Sequence, residues 1–306
     1  MKQSHPSIGL GKLCALFGVT RQAFYEAQVR EIRTSIAHSV VLRLVKDARD
    51  IMPSIGARKL LHDLGAQIQD HGIKIGRDQL FDLLRFHGLL VRRRKRGVRT
   101  TDSSHWLKKY PNLIQSLELT APEQLWVSDI TYVKTVEGYS YLSLITDAYS
   151  RKIVGYTLHP NLESIGCLEA LAMALHSRLY PNTRLIHHSD RGVQYCSFAY
   201  VELLLSSHIS ISMTQSGNPY ENALAERMNG IIKSEFFPRR IYQNHKEAKK
   251  AIDKIVLIYN TRRPHSSLDY LTPSDAHNMT GPIPKRWKPR RKIDLAYQSS
   301  DDAKNK

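Results

Sequence analysis

Three acids stand in blocks whose residue types suit metal-assisted phosphoryl chemistry: Asp129 in LWVSDITYVK, Asp190 in HHSDRGVQY and Glu226 in NALAERMNGIIK. Asp129 interrupts a run of apolar and β-branched residues, where an unpaired charge is costly, and 35 residues separate Asp190 from Glu226. Three carboxylates sharing one pocket cannot all ionise cheaply unless cations compensate them. Oxygen-only ligands select hard ions, so Mg²⁺ or Mn²⁺ is expected rather than zinc. Two such ions would activate a water or a 3′-hydroxyl and stabilise the leaving oxygen of an in-line phosphoryl displacement. No side chain reads as a covalent nucleophile: Ser128 and Ser189 flank the acids outside any G-x-S-x-G elbow, and no recombinase-type tyrosine is evident. Spacing alone decides little in a chain with 28 acids; the order and context of the blocks carry the weight.

Positioning begins with the stretch Ser216 to Phe237. Gly217, Asn218 and Pro219 signal a turn, and a helix is expected from about Glu221. On it Asn222, Glu226, Asn229 and Lys233 fall on one stripe, with Leu224, Met228 and Ile231 opposite, so the apolar side is expected inside and the polar stripe outside. LWVSDITYVK, YSYLSLITD and KIVGYTLHP read as three antiparallel strands, with a turn at Glu137 and Gly138. A helix over about Leu162 to Leu179, the strand TRLIHHS, a helix near Phe198 to Ser206 and the strand HISISMT follow. This β-β-β-α-β-α-β order is that of the ribonuclease-H-like fold, a mixed five-stranded sheet with flanking helices, and it puts Asp129 on the first strand and Asp190 at the end of the fourth. His187 and His188, adjacent in a strand, point to opposite faces and are read as structural or as supports behind the acids.

The region before residue 120 reads as helical and basic. Leu10 to Gln28 suggests an apolar helix, a turn at Gly18 and a second helix capped by Thr20, a small helix-turn-helix in which Arg21, Gln22 and Tyr25 would face DNA. Residues 39–52 form an amphipathic helix stopped by Pro53, and GARKLLHDLG and GRDQLFDLLRFHG form two more with glycine terminators. Arg92, Arg93, Arg94, Lys95, Arg96 and Arg99 then make a basic run that a polyanion would neutralise. The expected units are a small helix-turn-helix 1–35, a second helical, helix-turn-helix-like unit 36–91, a basic linker 92–120, a catalytic domain 121–277 and a basic, disordered tail 278–306.

With 45 Lys and Arg against 28 Asp and Glu, the formal charge of +17 on 306 residues points to nucleic acid. No apolar run approaches the roughly 18 residues of a membrane span, and MKQSHPSIGL lacks a signal-type apolar region, so a cytoplasmic, nucleoid-associated protein is expected. Cys14, Cys167 and Cys196 are widely separated and outline neither a disulfide framework nor a zinc site. In YNTRRPHSSLDYLTP, the residues Arg262, Arg263 and His265 occupy a Pro-bounded turn suited to phosphate contact.

The blocks W-x-D-I-T-Y, H-S-D-R-G-x-Q-Y and N-x-x-x-E-x-x-N-x-x-x-K, with YNTRRPHSSLDYLTP downstream, resemble the Asp-Asp-35-Glu transposases related to retroviral integrases. The chain is most similar to the second-frame subunit of the insertion-sequence-three family, over about residues 40 to 277. Glu221 departs from the Asp that many relatives carry before the Asn222-Ala223 pair. The resemblance implies that Asp129 and Asp190 are neighbours, that Asp129 bridges two ions, and that Asp190 and Glu226 complete the sites. It implies cleavage of the terminal inverted repeats and transfer of the freed 3′-hydroxyl into target DNA by a homo-oligomer, with an upstream-frame product as partner or fusion. Lys233 resembles the position that contacts terminal DNA, while Asn222 would orient either the helix start or the substrate backbone. Two alternatives stand beside this: a DNA-binding regulator with an inert ribonuclease-H-like domain, and a nuclease that only hydrolyses.

Overall fold

The computed structural model describes residues 8–91, 105–115, 117–215, 221–237 and 241–284. The basic run Arg92 to Arg99, the turn at Gly217 to Pro219 and residues 285–306 of the tail lie outside the described residues. The N-terminal part is helical: α1 (Leu10–Leu16), α2 (Arg21–Ile51), α3 (Ala57–Asp63), α4 (Gly65–Asp70) and α5 (Arg77–Phe86). Thr20 caps α2, its hydroxyl oxygen accepting from Ala23 N at 3.0 Å, as its side chain and place ahead of the helix lead one to expect.

Two expectations in this part are corrected. The helix expected over 39–52 is the second half of a single 31-residue helix, which crosses the boundary drawn at residues 35 and 36. Residues 29–51 hold neither Gly nor Pro, so nothing breaks the backbone before Pro53. Residues 21–36 are exposed on every side, and Tyr25, Val29, Ile32 and Ile36 lie bare at steps of four, three and four. Gly65, read as a terminator, instead opens α4, whereas Gly88 does end α5 with φ of +64°.

The sheet contains β1 (Leu125–Thr135), β2 (Gly138–Asp147), β3 (Ile153–His159), β4 (Ile186–Ser189) and β5 (Ser210–Met213), in the order β3-β2-β1-β4-β5. The first three are antiparallel, while β4 pairs parallel with both β1 and β5. Between β3 and β4 runs α6 (Ser164–His176), and α7 (Val193–Cys196) and α8 (Phe198–Ser206) connect β4 to β5. Then come α9 (Ala223–Ile231), a π-helical turn (Ile232–Phe236), α10 (His245–Thr261), a 3₁₀ turn (Ser266–Leu268) and α11 (Pro273–His277). This is the ribonuclease-H-like order read from the sequence.

Strand alternation divides the core between the two faces of the sheet. Trp126, Ile145, Val154 and Ile211 pack with Ala170, Leu171, Tyr200 and Leu204 of α6 and α8. Val133, Leu142 and Leu144 join Met228, Ile252 and Tyr259 of α9 and α10, in one apolar cluster that continues through Met52, Ile55, Leu60 and Leu84 of the N-terminal helices. The described residues 105–115 and 117–119, expected within a polar connection, instead lie against the sheet. They pack Leu107, Tyr110, Ile114 and Leu119 onto the core, and Pro111 O accepts from Met213 N of β5 at 3.3 Å. One backbone bond thereby meets the outer edge of β5.

Candidate active site

The site forms where the parallel strands β1 and β4 end. Their register pairs Leu125 with Ile186, Trp126 with His187 and Val127 with His188. Two residues further along each chain stand Asp129 and Asp190. Neighbouring strands lie roughly 4.8 Å apart, so the register sets the two acids side by side. Leu125, Val127 and Asp129 share one face, and on that face Leu125 and Val127 pack against Ala225 of α9. Asp129 therefore looks toward the helix that carries Glu226.

Each carboxylate is held by identifiable donors. Asp129 Oδ1 accepts from Ile130 N at 3.0 Å and its Oδ2 from Asn229 Nδ2 at 2.8 Å. Asp190 Oδ1 accepts from Gly192 N at 3.0 Å. A Cβ at Gly192 would stand 3.1 Å from that same oxygen, so a larger residue there would press on the carboxylate. Burial first, then the charge of Asp190, and more weakly that of Glu226, push the Asp129 carboxyl up to about 7 against the opposing bonds from Asn229 and Ile130. The three acids thus act electrostatically on one point. Glu226 itself is exposed in the first turn of α9, and among the described residues no three His, Cys, Asp or Glu side chains stand as a closed metal cage.

The orientation expected for α9 needs correction. Its buried residues are Ala225, Met228 and Asn229, with Asn222 buried just ahead and Ile232 just after, whereas Leu224 and Ile231 are half-buried. The two amides face inward because the strand ends beneath them leave a carbonyl and a carboxylate in need of donors. Asn222 Nδ2 donates to Ser128 O at 3.1 Å, which ties the start of α9 to β1. Buried as it is, it is not a surface contact for DNA. Lys233 is half-buried on the π turn; burial lowers its ammonium, and the nearness of the Asp129 carboxylate opposes that effect.

His187 and His188 do point to opposite faces. His187 Nε2 lies 2.7 Å from Ser128 Oγ and 2.9 Å from Tyr200 Oη, within hydrogen-bond reach of both, and burial, followed by the neighbouring His188, pushes the imidazole down to about 3. The Ser128–His187 pair is sealed in the core, each 1% exposed, and so is structural rather than nucleophilic. His188 takes Ser212 Oγ at 2.8 Å and Glu221 O at 3.0 Å, tying β4 and β5 to the residue ahead of α9.

Among the remaining candidates, Arg21, Gln22 and Arg262 are exposed, while Arg263 and His265 are not the phosphate contacts expected. Arg263 is 2% exposed and His265 4%; the guanidinium grips Glu235, with Nε to Oε2 and Nη2 to Oε1 both at 2.7 Å. Burial first, then Arg263, pushes the His265 imidazole down to about 2. A basic turn bounded by prolines reads as surface in sequence, yet here it folds under the body to neutralise an acid 28 residues earlier. Asn229 was missed as a site residue, although its place three residues after Glu226 on the polar stripe was a usable signal.

The sequence matches the integrase core domain family over residues 120–219 and a second integrase core domain family over residues 207–273. It is 36% identical over 266 residues to the insertion element IS600 uncharacterized 31 kDa protein of Shigella sonnei, covering 86% of this chain and 96% of that one. It is 30% identical over 278 residues to the transposase for insertion sequence element IS629 of Shigella sonnei, covering 88% and 91%. Transposase InsF for insertion sequence IS3A of Escherichia coli (strain K12) is 29% identical over 275 residues, covering 87% and 93%. A solved HTLV-2 integrase catalytic core domain is similar at 21% identity and a TM-score of 0.42, covering 52% of this chain and 99% of that one. The chain belongs to the bacterial insertion-sequence transposases of the insertion-sequence-three family, polynucleotidyl transferases with an integrase catalytic core.

Proposed function

We propose that Asp129, Asp190 and Glu226 are the catalytic acids, and that they hold Mg²⁺ or Mn²⁺, two ions per site, while the chain cuts the ends of its element and joins each freed 3′-hydroxyl to target DNA. The observation that carries this reading is the β1–β4 register, which sets Asp129 beside Asp190 with Asp129 facing the helix that bears Glu226; burial and these neighbouring charges push the Asp129 carboxyl up, an arrangement short of positive charge. The donor set fits the ions, being carboxylate oxygens alone, with exposed Glu226 as the movable third donor. When bound, such ions supply Lewis acidity at the scissile phosphate and lower the pKa of the attacking hydroxyl.

The protein's own residues fix the geometry around that chemistry. Asn229 and Ile130 N orient the Asp129 carboxylate, Gly192 N orients Asp190, and Asn222 with His188 sets the start of α9. Lys233, beside Asp129, is assigned to the terminal phosphate of the element end. In strand transfer the 3′-hydroxyl oxygen bonds to a target phosphorus and the target's own 3′ oxygen leaves, so no covalent enzyme intermediate is required. Joining two ends calls for two active sites and hence a homo-oligomer on DNA. Arg21, Gln22 and Arg262, together with the Arg92 to Arg96 run, supply DNA contacts suited to a chain of charge +17.

The test is strand transfer with precleaved ends and Mg²⁺, comparing the full chain with Glu226→Gln. Joined product from the natural chain and none from the variant is expected. Hydrolysis without joining would favour the nuclease alternative, and joining by the variant would remove Glu226 from the site.

A further inference from the structure

Glu235 sits at the meeting point of three chain segments that are remote in sequence. Lys59 Nζ of α3 lies 2.6 Å from its Oε1, and Arg263, beyond the end of α10, grips both oxygens at 2.7 Å. Burial alone would raise the Glu235 carboxyl, but Arg263 and then Lys59 outweigh it and hold the group below its ordinary range. Ion partners taken out of water in this way depend on one another, and removing one strands the rest. A backbone bond joins the same place, Ser54 N donating to Glu235 O at 3.0 Å. Next in the chain, Phe236 is buried in the cluster that holds Met52, Ile55 and Leu60.

What these contacts hold is the π-helical turn Ile232–Phe236. Such turns are rare because one residue too many is packed into the turn, and they recur at functional sites. Lys233 lies inside it, one turn beyond Asn229, whose amide bonds the Asp129 carboxylate at 2.8 Å. Relaxation of the turn to α geometry would re-aim Lys233, while Asn222 and Asn229 kept the preceding helix in place.

We propose that Glu235 is a positioning residue: clamped by Lys59, Arg263 and Ser54, it holds the π turn that aims Lys233 beside Asp129, and it couples the N-terminal helices to the acid-bearing helix. This rests on the reading of Asp129 and Glu226 as catalytic acids. Lys59 belongs to the helical region, outside the integrase-core match, so a pairing that only stabilised the fold would leave turnover per folded molecule unchanged when Lys59 is replaced.

The experiment measures joining of precleaved ends by the full chain, with kcat and KM for end DNA determined separately and the folded fraction taken from thermal melts. For Lys59→Met and Glu235→Gln, kcat should fall roughly 10- to 100-fold, with KM within about twofold, as for a misaimed group near the reacting atoms. Lys59→Arg, which can still pair with Glu235, should restore kcat. Hydrogen exchange over residues 231–237 should quicken in Lys59→Met and return to normal in Lys59→Arg. Unchanged kcat in Lys59→Met, or a loss carried entirely by KM, overturns the proposal even if Glu235→Gln fails to fold. Glu226→Gln runs alongside: joining by that variant breaks the underlying reading of the acids, whereas full activity of Lys59→Met breaks only the clamp.

Discussion

The Asp129 carboxyl, raised to about 7 by burial and by Asp190 and Glu226, ties activity and stability together at one atom group. A carboxyl whose folded value exceeds its unfolded value favours the folded state at low pH, and that advantage is lost as pH rises from about 4 to about 7. In metal-free buffer at pH 8 the Asp129→Asn variant should therefore melt a few degrees higher than the natural chain, a gain of about 1–2 kcal/mol once solvent screening is allowed for. Mg²⁺ should raise the melting temperature of the natural chain but not of this variant. The same substitution, like Asp190→Asn and Glu226→Gln, should reduce cleavage and joining by roughly 10³-fold, since each removes a charge on which a bound ion depends. Equal melting temperatures at pH 8, together with an Mg²⁺ response retained by Asp129→Asn, would argue against a cation site at this carboxylate.

At the scale of elements, α11 is locked to the far end of the sheet by a buried polar cluster. Glu123, 1% exposed, accepts from Leu179 N at 2.7 Å and Tyr180 N at 2.9 Å and lies 3.5 Å from His277 Nε2. Asp147 accepts from Glu123 N at 2.7 Å, and Ser150 Oγ bridges it to His277 Nδ1. Burial lowers the His277 imidazole, but the bonds to Asp147 and Glu123 outweigh this and raise it overall. Burial likewise works against Glu123, yet His277 and the two backbone donors hold that carboxyl low. The imidazolium therefore contributes fully below its unfolded value of about 6.5 and less as pH climbs through the raised folded value, whereas the Glu123 contribution fades as pH drops below about 4.5. His277→Gln should cost roughly 3 kcal/mol at pH 6 and distinctly less at pH 9. Denaturant titrations of both chains at the two pH values check this, and a pH-independent difference would mean that the histidine is neutral in the fold.

For the molecule as a whole, the catalytic fold does not stop at the residue 120 boundary expected from composition. Leu107, Tyr110, Ile114 and Leu119 cover the sheet, and Met52, Ile55 and Leu60 continue the cluster that buries Phe236. A fragment starting at Thr120 should consequently melt on the order of 10 °C below one starting at Ser39, since several apolar side chains of roughly 1.5–3 kcal/mol each lose their cover. Equal melting temperatures would show the integrase core to be self-sufficient. The charge of +17 carries a separate expectation for DNA affinity. If four side chains of the Arg92 to Arg99 run meet phosphates, neutralising them should flatten the slope of log K against log salt by about 3.6 units. An unchanged slope would leave that run without a phosphate partner.

The placement of the three acids on their elements, the strand order and the helix behind Glu226 were legible in the sequence because each is signalled locally. A carboxylate in a β-branched run, strands set off by turn residues, and a cap such as Thr20 depend on neighbours a few positions away. The reach of α2 was equally present in its unbroken composition but was obscured by the amphipathic pattern of its second half. What only the tertiary structure decided was which polar residues are turned inward. Asn222, Asn229, Arg263 and His265 look like surface chemistry in sequence, yet the first three donate to Ser128 O, the Asp129 carboxylate and the Glu235 carboxylate, and His265 Nδ1 pairs with Ser267 Oγ. Except for Ser267, these partners come from other elements, so what each buried donor meets is decided by what the fold brings to it. Hydrophobic periodicity records the apolar side of an element but carries no mark of a carbonyl or carboxylate waiting on another strand.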